Sequence, residues 1–104
     1  MYEKLYYYIR KNNKEISNVI FILSNINNEK ICTILSLNTD IEYRNKGYAT
    51  KLLYYVINYC KLNDYKTLYL DDCSDNFNKI NNIYLNIGFN YINNGSPEMV
   101  LFLS

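Results

Sequence analysis

The hydrophobic period of this chain changes at Gly47. Before that residue the apolar positions alternate. Leu5, Tyr7 and Ile9 share one parity, residues 16–24 (ISNVIFILS) form a β-branched run, and Ile31, Thr33, Leu35 and Leu37 share one parity within 30–39. A period of two is the mark of a strand. After Gly47 the apolar positions fall at Ala49, Leu52, Leu53, Val56, Ile57 and Cys60. That spacing puts them on one face of a helix over residues 47–62. Strands followed by an amphipathic helix predict a layered fold, with helices laid on a sheet.

The punctuation fits this division. Asn12-Asn13-Lys14 and Asn27-Asn28 separate the first three strands. Connections of hairpin length make those strands antiparallel neighbours. Asn63-Asp64 ends the helix, and residues 66–71 (KTLYLD) form a short fourth strand. A helical crossover between two strands implies a parallel pair and a right-handed connection. A second helix is expected from about Asp75 to Ile87, with Phe77, Ile80, Ile83 or Tyr84, and Ile87 inward. Ser74 or Asp75 can cap its start, and Gly88 suits the position after its end. Strands near 88–93 and 98–103 finish the chain, joined by Asn94-Gly95-Ser96-Pro97. The order is βββ-α-β-α-ββ. The expected class is α+β, an α/β sandwich with a mostly antiparallel sheet of about six strands and two main helices.

Composition narrows the chemistry. The chain has 104 residues, 49% of them apolar and 20% charged. These values predict a folded single domain, residues 1–104. The formal net charge is +1, which gives no reason to expect nucleic acid or an anionic membrane as a partner. Histidine is absent. Imidazole-based nucleophile pairs and His-ligated zinc are thereby excluded, and no metal is expected. Cys32, Cys60 and Cys73 are too far apart for a CxxC motif and read as reduced, structural thiols. Early charges argue against a signal peptide, and no apolar run approaches the ~20 residues that span a bilayer. A soluble, cytoplasmic protein is the expectation.

The segment richest in chemistry is residues 43–53, YRNKGYATKLL. A strand ends, a basic loop with one glycine follows, and a helix begins at once. A helix N-terminus has free N–H groups and a positive dipole end, so this arrangement suits an anion. Gly47 permits close approach of the backbone, and Arg44, Lys46 and the Thr50 hydroxyl add charge and a donor. The segment lacks both GxxxxGK[ST] and GxGxxG, so it is neither a P-loop nor a dinucleotide fingerprint.

Arg44-Asn45-Lys46-Gly47-Tyr48-Ala49 resembles the Q/R-x-x-G-x-G/A pyrophosphate loop of the GNAT (Gcn5-related) N-acetyltransferases, here a short member without the usual N-terminal helix pair. Downstream, Ile83-Tyr84-Leu85-Asn86-Ile87-Gly88-Phe89 resembles the family's "LYEKLGF" segment. The two motifs stand in the family's order, and the resemblance covers roughly residues 16–104. It implies three portions: reduced N-terminal strands in 1–30, an acetyl-coenzyme A-binding core in 31–89, and a C-terminal hairpin in 90–104.

The resemblance implies an N-acetyltransferase that moves an acetyl group from acetyl-CoA to a primary amine by direct attack. The cofactor's pyrophosphate would lie on the backbone of Asn45 to Thr50, with Arg44 and Lys46 beside it. Backbone donors near Leu37 or Thr39 would polarise the thioester carbonyl. Tyr84 matches the tyrosine that faces the thioester sulfur and protonates the departing thiolate. A phenol of pKa ~10 and a thiol of ~8.5 are close enough for that transfer. For the base that deprotonates the amine, Asp71 and Asp72 close the 66–71 strand and one must face the gap. Asp72 is taken as the catalytic candidate, with Glu98 and a water chain as alternatives.

Three departures from the family are visible. Asn45 stands where glycine is frequent. Phe77 stands where a cofactor-binding asparagine is frequent; Asn76 and Asn78 flank it, and the contact is assigned to Asn78. The family also places two helices between its first two strands, whereas residues 1–30 here hold only strands and turns. Either the acceptor site is open, or a second copy of the chain completes its wall as a homodimer, with Tyr6-Tyr7-Tyr8 as interface material. The alternative function is a catalytically reduced relative, acting as a CoA-binding or protein-interaction module. A nucleic-acid module that stacks bases on tyrosines is disfavoured by the absence of a basic stripe.

Overall fold

The computed structural model describes residues 2–72, 82–93 and 95–103. Its elements are β1 (Tyr2–Lys11), β2 (Lys14–Ile26), β3 (Glu29–Thr39), a 3-10 turn (Ile41–Tyr43), α1 (Tyr48–Leu62), β4 (Thr67–Asp71), α2 (Ile83–Ile87), β5 (Asn90–Tyr91) and β6 (Glu98–Phe102). The six strands form one sheet in the order β1-β2-β3-β4-β6-β5. Among the described strands only the β3–β4 pair is parallel. The class is therefore the α+β sandwich read from the sequence.

The two N-terminal hairpins are set by asparagine pairs. Asn12 and Asn13 have φ of 52° and 63°, and Asn27 and Asn28 have 54° and 65°. Two consecutive residues at positive φ match the twist of a two-residue hairpin, and asparagine tolerates that region better than any other side chain. Lys11 pairs with Lys14 and Ile26 with Glu29, so each turn has two residues. No helix separates β1 from β2.

The core lies between one face of the sheet and the two helices. It joins Val19, Phe21 and Leu23 of β2, Cys32 and Ile34 of β3, and Leu68 and Leu70 of β4. Against them pack Leu52, Leu53, Val56, Ile57 and Cys60 of α1, with Phe89 and Met99 beyond. Burying each large member contributes about 1.5–3 kcal/mol. Cys32 and Cys60 are both fully buried and free. The hydrogen bond between the two thiols, together with burial, holds Cys32 above the ordinary thiol range, while the same bond lowers Cys60; sealed in the core, both read as packing groups. Cys73 lies outside the described residues.

Three sequence expectations need correction. The first concerns β3, where Cys32 and Ile34 enter the core and Leu35 is exposed. The register explains this: Ile20 faces Ser36 but Phe21 faces Ile34, so Leu35 is an extra residue, a β-bulge. A bulge reverses which parity faces inward. Leu37, opposite the buried Val19, therefore packs on the core with Cys32 and Ile34, while Ile31, Thr33 and Leu35 do not share its face. The second is the tyrosine triplet. Tyr7 turns inward onto Phe21 and Tyr55, with ring centroids 5.5 and 4.4 Å away, and only Tyr6 and Tyr8 are exposed. The third is the second helix. Asn82 is extended (φ −70°, ψ 125°) and caps a helix that starts at Ile83, so no continuous helix runs from Asp75 to Ile87. The expected caps Ser74 and Asp75, and Phe77 and Ile80, lie outside the described residues.

Candidate functional site

The parallel ladder between β3 and β4 ends at the Ile34–Leu70 pair. Beyond it β3 continues beside β2 alone, through Val19–Leu37 to Ser17–Thr39. The bulge at Leu35 bends β3 at this point, and bulges bend the strand that carries them. Among the described residues, the backbone groups of 35–39 that turn away from β2 thus have no strand partner. The gap is a cavity of about 540 Å³.

It is walled from three sides. From β3 come Ser36, Leu37 and Thr39; from the loop and α1 come Tyr43, Arg44, Asn45, Gly47, Tyr48, Ala49 and Thr50; from the far side come Asp71, Ile83 and Tyr84. The loop conformation follows from its residues. Asn45 has φ 62° and Gly47 has φ 88°, both left-handed. This explains why asparagine can replace glycine at 45. A Cβ at Gly47 would meet nothing within 4 Å, so the demand there is on backbone conformation and not on space. Gly47 is the N-cap of α1 and offers no side chain to it. The first-turn amides of Tyr48, Ala49 and Thr50, which no α-helix satisfies internally, are left for solvent or a ligand. Arg44 is anchored by its Nε donating to the Thr39 carbonyl at 3.0 Å. The Thr39 hydroxyl is 2.8 Å from that of the buried Ser17.

Most of the residues expected in a site converge here: Leu37, Thr39, Arg44, Asn45, Gly47, Tyr48, Ala49, Thr50 and Tyr84. Lys46 does not line the cavity; its Nζ lies 5.7 Å from the centre of the Tyr43 ring. Asn78 lies outside the described residues. Asp72 does not line the cavity either. It is 1% exposed and accepts hydrogen bonds from Asn82 Nδ2 at 2.5 Å and the Tyr91 hydroxyl at 2.9 Å. Its neighbour Asp71 faces the gap instead, as strand alternation requires of one of the two. Ser36 and Tyr43 were missed from the sequence. Ser36 lines the cavity next to the bulge at Leu35, which no periodicity signals.

A second cavity of about 220 Å³ adjoins the first and shares Leu35 and Asp71 with it. Tyr69, Ile92 and Glu98 also line it. Asp71 and Glu98 are direct partners across β4 and β6, so both carboxylates are carried to one face.

A split sheet with a glycine-led helix N-terminus at the fork is the acyl-CoA N-acyltransferase arrangement. The model of the acetyltransferase (GNAT) family matches residues 2–89, and the chain belongs to that family. No curated protein sequence matches it significantly. Solved structures share its fold. A GNAT-family protein from Desulfovibrio desulfuricans superposes with a TM-score of 0.78 at 9% identity, over 97% of this chain and 70% of its own. The ribosomal-protein-S18-alanine N-acetyltransferase of Escherichia coli gives 0.71 at 21% identity, over 97% and 70%. An N-acetyltransferase from Thermoplasma acidophilum, in complex with coenzyme A, gives 0.73 at 19%, over 95% and 60%.

Proposed function

We propose that this chain transfers an acetyl group from acetyl-CoA to a primary amine. The observation that carries this reading is the cavity at the fork, where free helix amides and Tyr84 line one space. The residues present fit the cosubstrate. The Ser36 Oγ atom is buried without a hydrogen-bond partner, and such an orphan in a cavity wall suits a polar ligand. The amides of residues 45–50 and the Arg44 guanidinium would hold its pyrophosphate. The edge of β3 from Leu35 to Asn38, beyond the β4 ladder, would take its amide-bearing arm by strand-like pairing. When bound, acetyl-CoA supplies an acyl group activated as a thioester.

The chain's own groups then have distinct tasks. Backbone N–H groups near Leu37 favour negative charge where it develops on the carbonyl oxygen. Tyr84 holds at its hydroxyl the proton needed by the departing sulfur. Asp71, at the junction of the two cavities, is the proposed acceptor of the amine proton, in place of the buried Asp72. The second cavity, with Glu98 at its rim, is the proposed approach for the amine.

The deciding experiment is a calorimetric titration with acetyl-CoA, followed by thiol release against a panel of amines. Micromolar binding and turnover that falls about 10²-fold in Tyr84→Phe would support the reading, since positioned proton transfer contributes on that scale. Failure to bind at millimolar acetyl-CoA would overturn it. One observation favours a second reading, a CoA-binding or protein-interaction module without turnover: β1 passes to β2 by a two-residue turn, and Tyr6 and Tyr8 of β1 are exposed. Tight binding without turnover on any amine would select it.

A further inference from the structure

The mechanism above leaves unused a polar cluster beneath the site. Asp72, at 1% exposure, and Asn82, at 0%, lie within the core beside Tyr91. A buried carboxylate is costly and persists only where donors meet it. Here Asn82 Nδ2 lies 2.5 Å and the Tyr91 hydroxyl 2.9 Å from the same carboxylate oxygen. Asn82 Nδ2 is also 3.3 Å from the Tyr91 hydroxyl. The Asp72 amide donates to the Pro97 carbonyl at 2.8 Å, which ties the carboxylate to the chain before β6.

Asn82 has a second task. Its Oδ1 accepts from the amides of Tyr84 at 2.8 Å and Leu85 at 3.3 Å, capping α2. An asparagine amide can be turned either way, and only one way presents oxygen to the helix. Asp72 accepts only from the nitrogen side, so it fixes the orientation that makes the cap. The helix depends on that cap, because α2 has five residues and so short a helix does not hold itself. Its second residue is Tyr84. The ring of Tyr84 meets the fully buried Phe89 edge-on, with centroids 6.2 Å apart, and Gly88 closes the far end by donating to the Tyr84 carbonyl at 3.2 Å.

We propose that Asp72, Asn82 and Tyr91 form a positioning device that sets the Tyr84 phenol at the cavity wall, acting through the helix cap. This rests on the role given to Tyr84 above. Neither Asp72 nor Asn82 touches the reacting atoms.

The test compares wild type, Asn82→Ala, Asp72→Asn, Tyr84→Phe and the two doubles with Tyr84→Phe, with amine acetylation and amide exchange measured on each. Asn82→Ala should lower kcat by about 10- to 100-fold, part of what positioned proton transfer supplies, with KM for acetyl-CoA within about twofold. In the Tyr84→Phe background the same change should cost less than about twofold, the signature of residues acting through one another. Equal losses in both backgrounds would overturn the proposal, since general loosening would give them. The Tyr84 and Leu85 amides should exchange at least about tenfold faster in Asn82→Ala, as a lost cap predicts; unchanged exchange there would also overturn it. If Asn82→Ala does not fold, the near-isosteric Asp72→Asn carries the same comparisons. A wild type that never acetylates, or Tyr84→Phe at full rate, would remove the catalytic reading of Tyr84. The exchange rates would still decide whether the cluster holds residue 84.

Discussion

At the scale of single residues, two neighbouring acids have opposite fates. Asp71 and Asp72 are chemically alike, yet one lines both cavities and the other is sealed under α2. Asp71→Asn is therefore expected to lower kcat/KM for the amine by about 10²-fold with acetyl-CoA affinity kept, as steady-state kinetics and calorimetry would show. An unchanged rate would move the base to Glu98 or water. Tyr7 supplies a pH prediction. Burial first, and then its hydrogen bond with Tyr55, push its phenol up to about 12. The folded state thus keeps this proton where an unfolded tyrosine, at about 10, loses it. Stability from this group is complete below pH 10 and is lost as pH rises through 12. Urea midpoints should fall over that window in wild type, and less steeply in Tyr7→Phe.

At the scale of elements, left-handed residues place the turns. Asn13, at φ 63°, is the second residue of the first hairpin, where a β-branched side chain is strained. Asn13→Val should cost about 1–2 kcal/mol, seen as a lower urea midpoint, while Asn13→Gly should not. The loop into α1 obeys the same rule for a different end. Gly47→Ala tests conformation alone, because there is room for the methyl, and should cost about 1 kcal/mol of stability. Gly47→Glu adds a carboxylate where a phosphate would lie, and should weaken acetyl-CoA binding at least about tenfold beyond Gly47→Ala. Equal affinities in the two variants would remove the pyrophosphate from this loop. The asparagine turns were legible from the sequence because they rest on local φ preferences. The start of α2 was not, since the periodicity of Phe77, Ile80, Ile83 or Tyr84, and Ile87 suggests one long helix. Asn82 is extended and caps the helix that begins at Ile83, a role that asparagine in an Asn-rich chain does not announce.

At the scale of the molecule, both helices pack on one face of the sheet, and none of the described helices is long and apolar enough to cross a membrane. The cavity at the fork makes ligand binding a stability term for the whole fold. Acetyl-CoA at about 100 times its dissociation constant should stabilise the native state by about 2.7 kcal/mol and raise Tm by about 10 °C or more. A Tm indifferent to saturating acetyl-CoA would contradict the proposed site.

The sequence by itself determined the element order, the hairpins, the buried face of α1 and the anion-suited loop at Gly47. Each depends on residues within a few positions of one another, through period, φ preference or unsatisfied helix amides. The tertiary structure decided the rest. Where the β3–β4 ladder stops, that Leu35 bulges and so returns Leu37 to the core face, and which of Asp71 and Asp72 is buried all depend on strands distant in sequence. A bulge is set by register against a partner, and a carboxylate is buried only where another element brings donors to it. Neither condition is written in the local pattern of the chain.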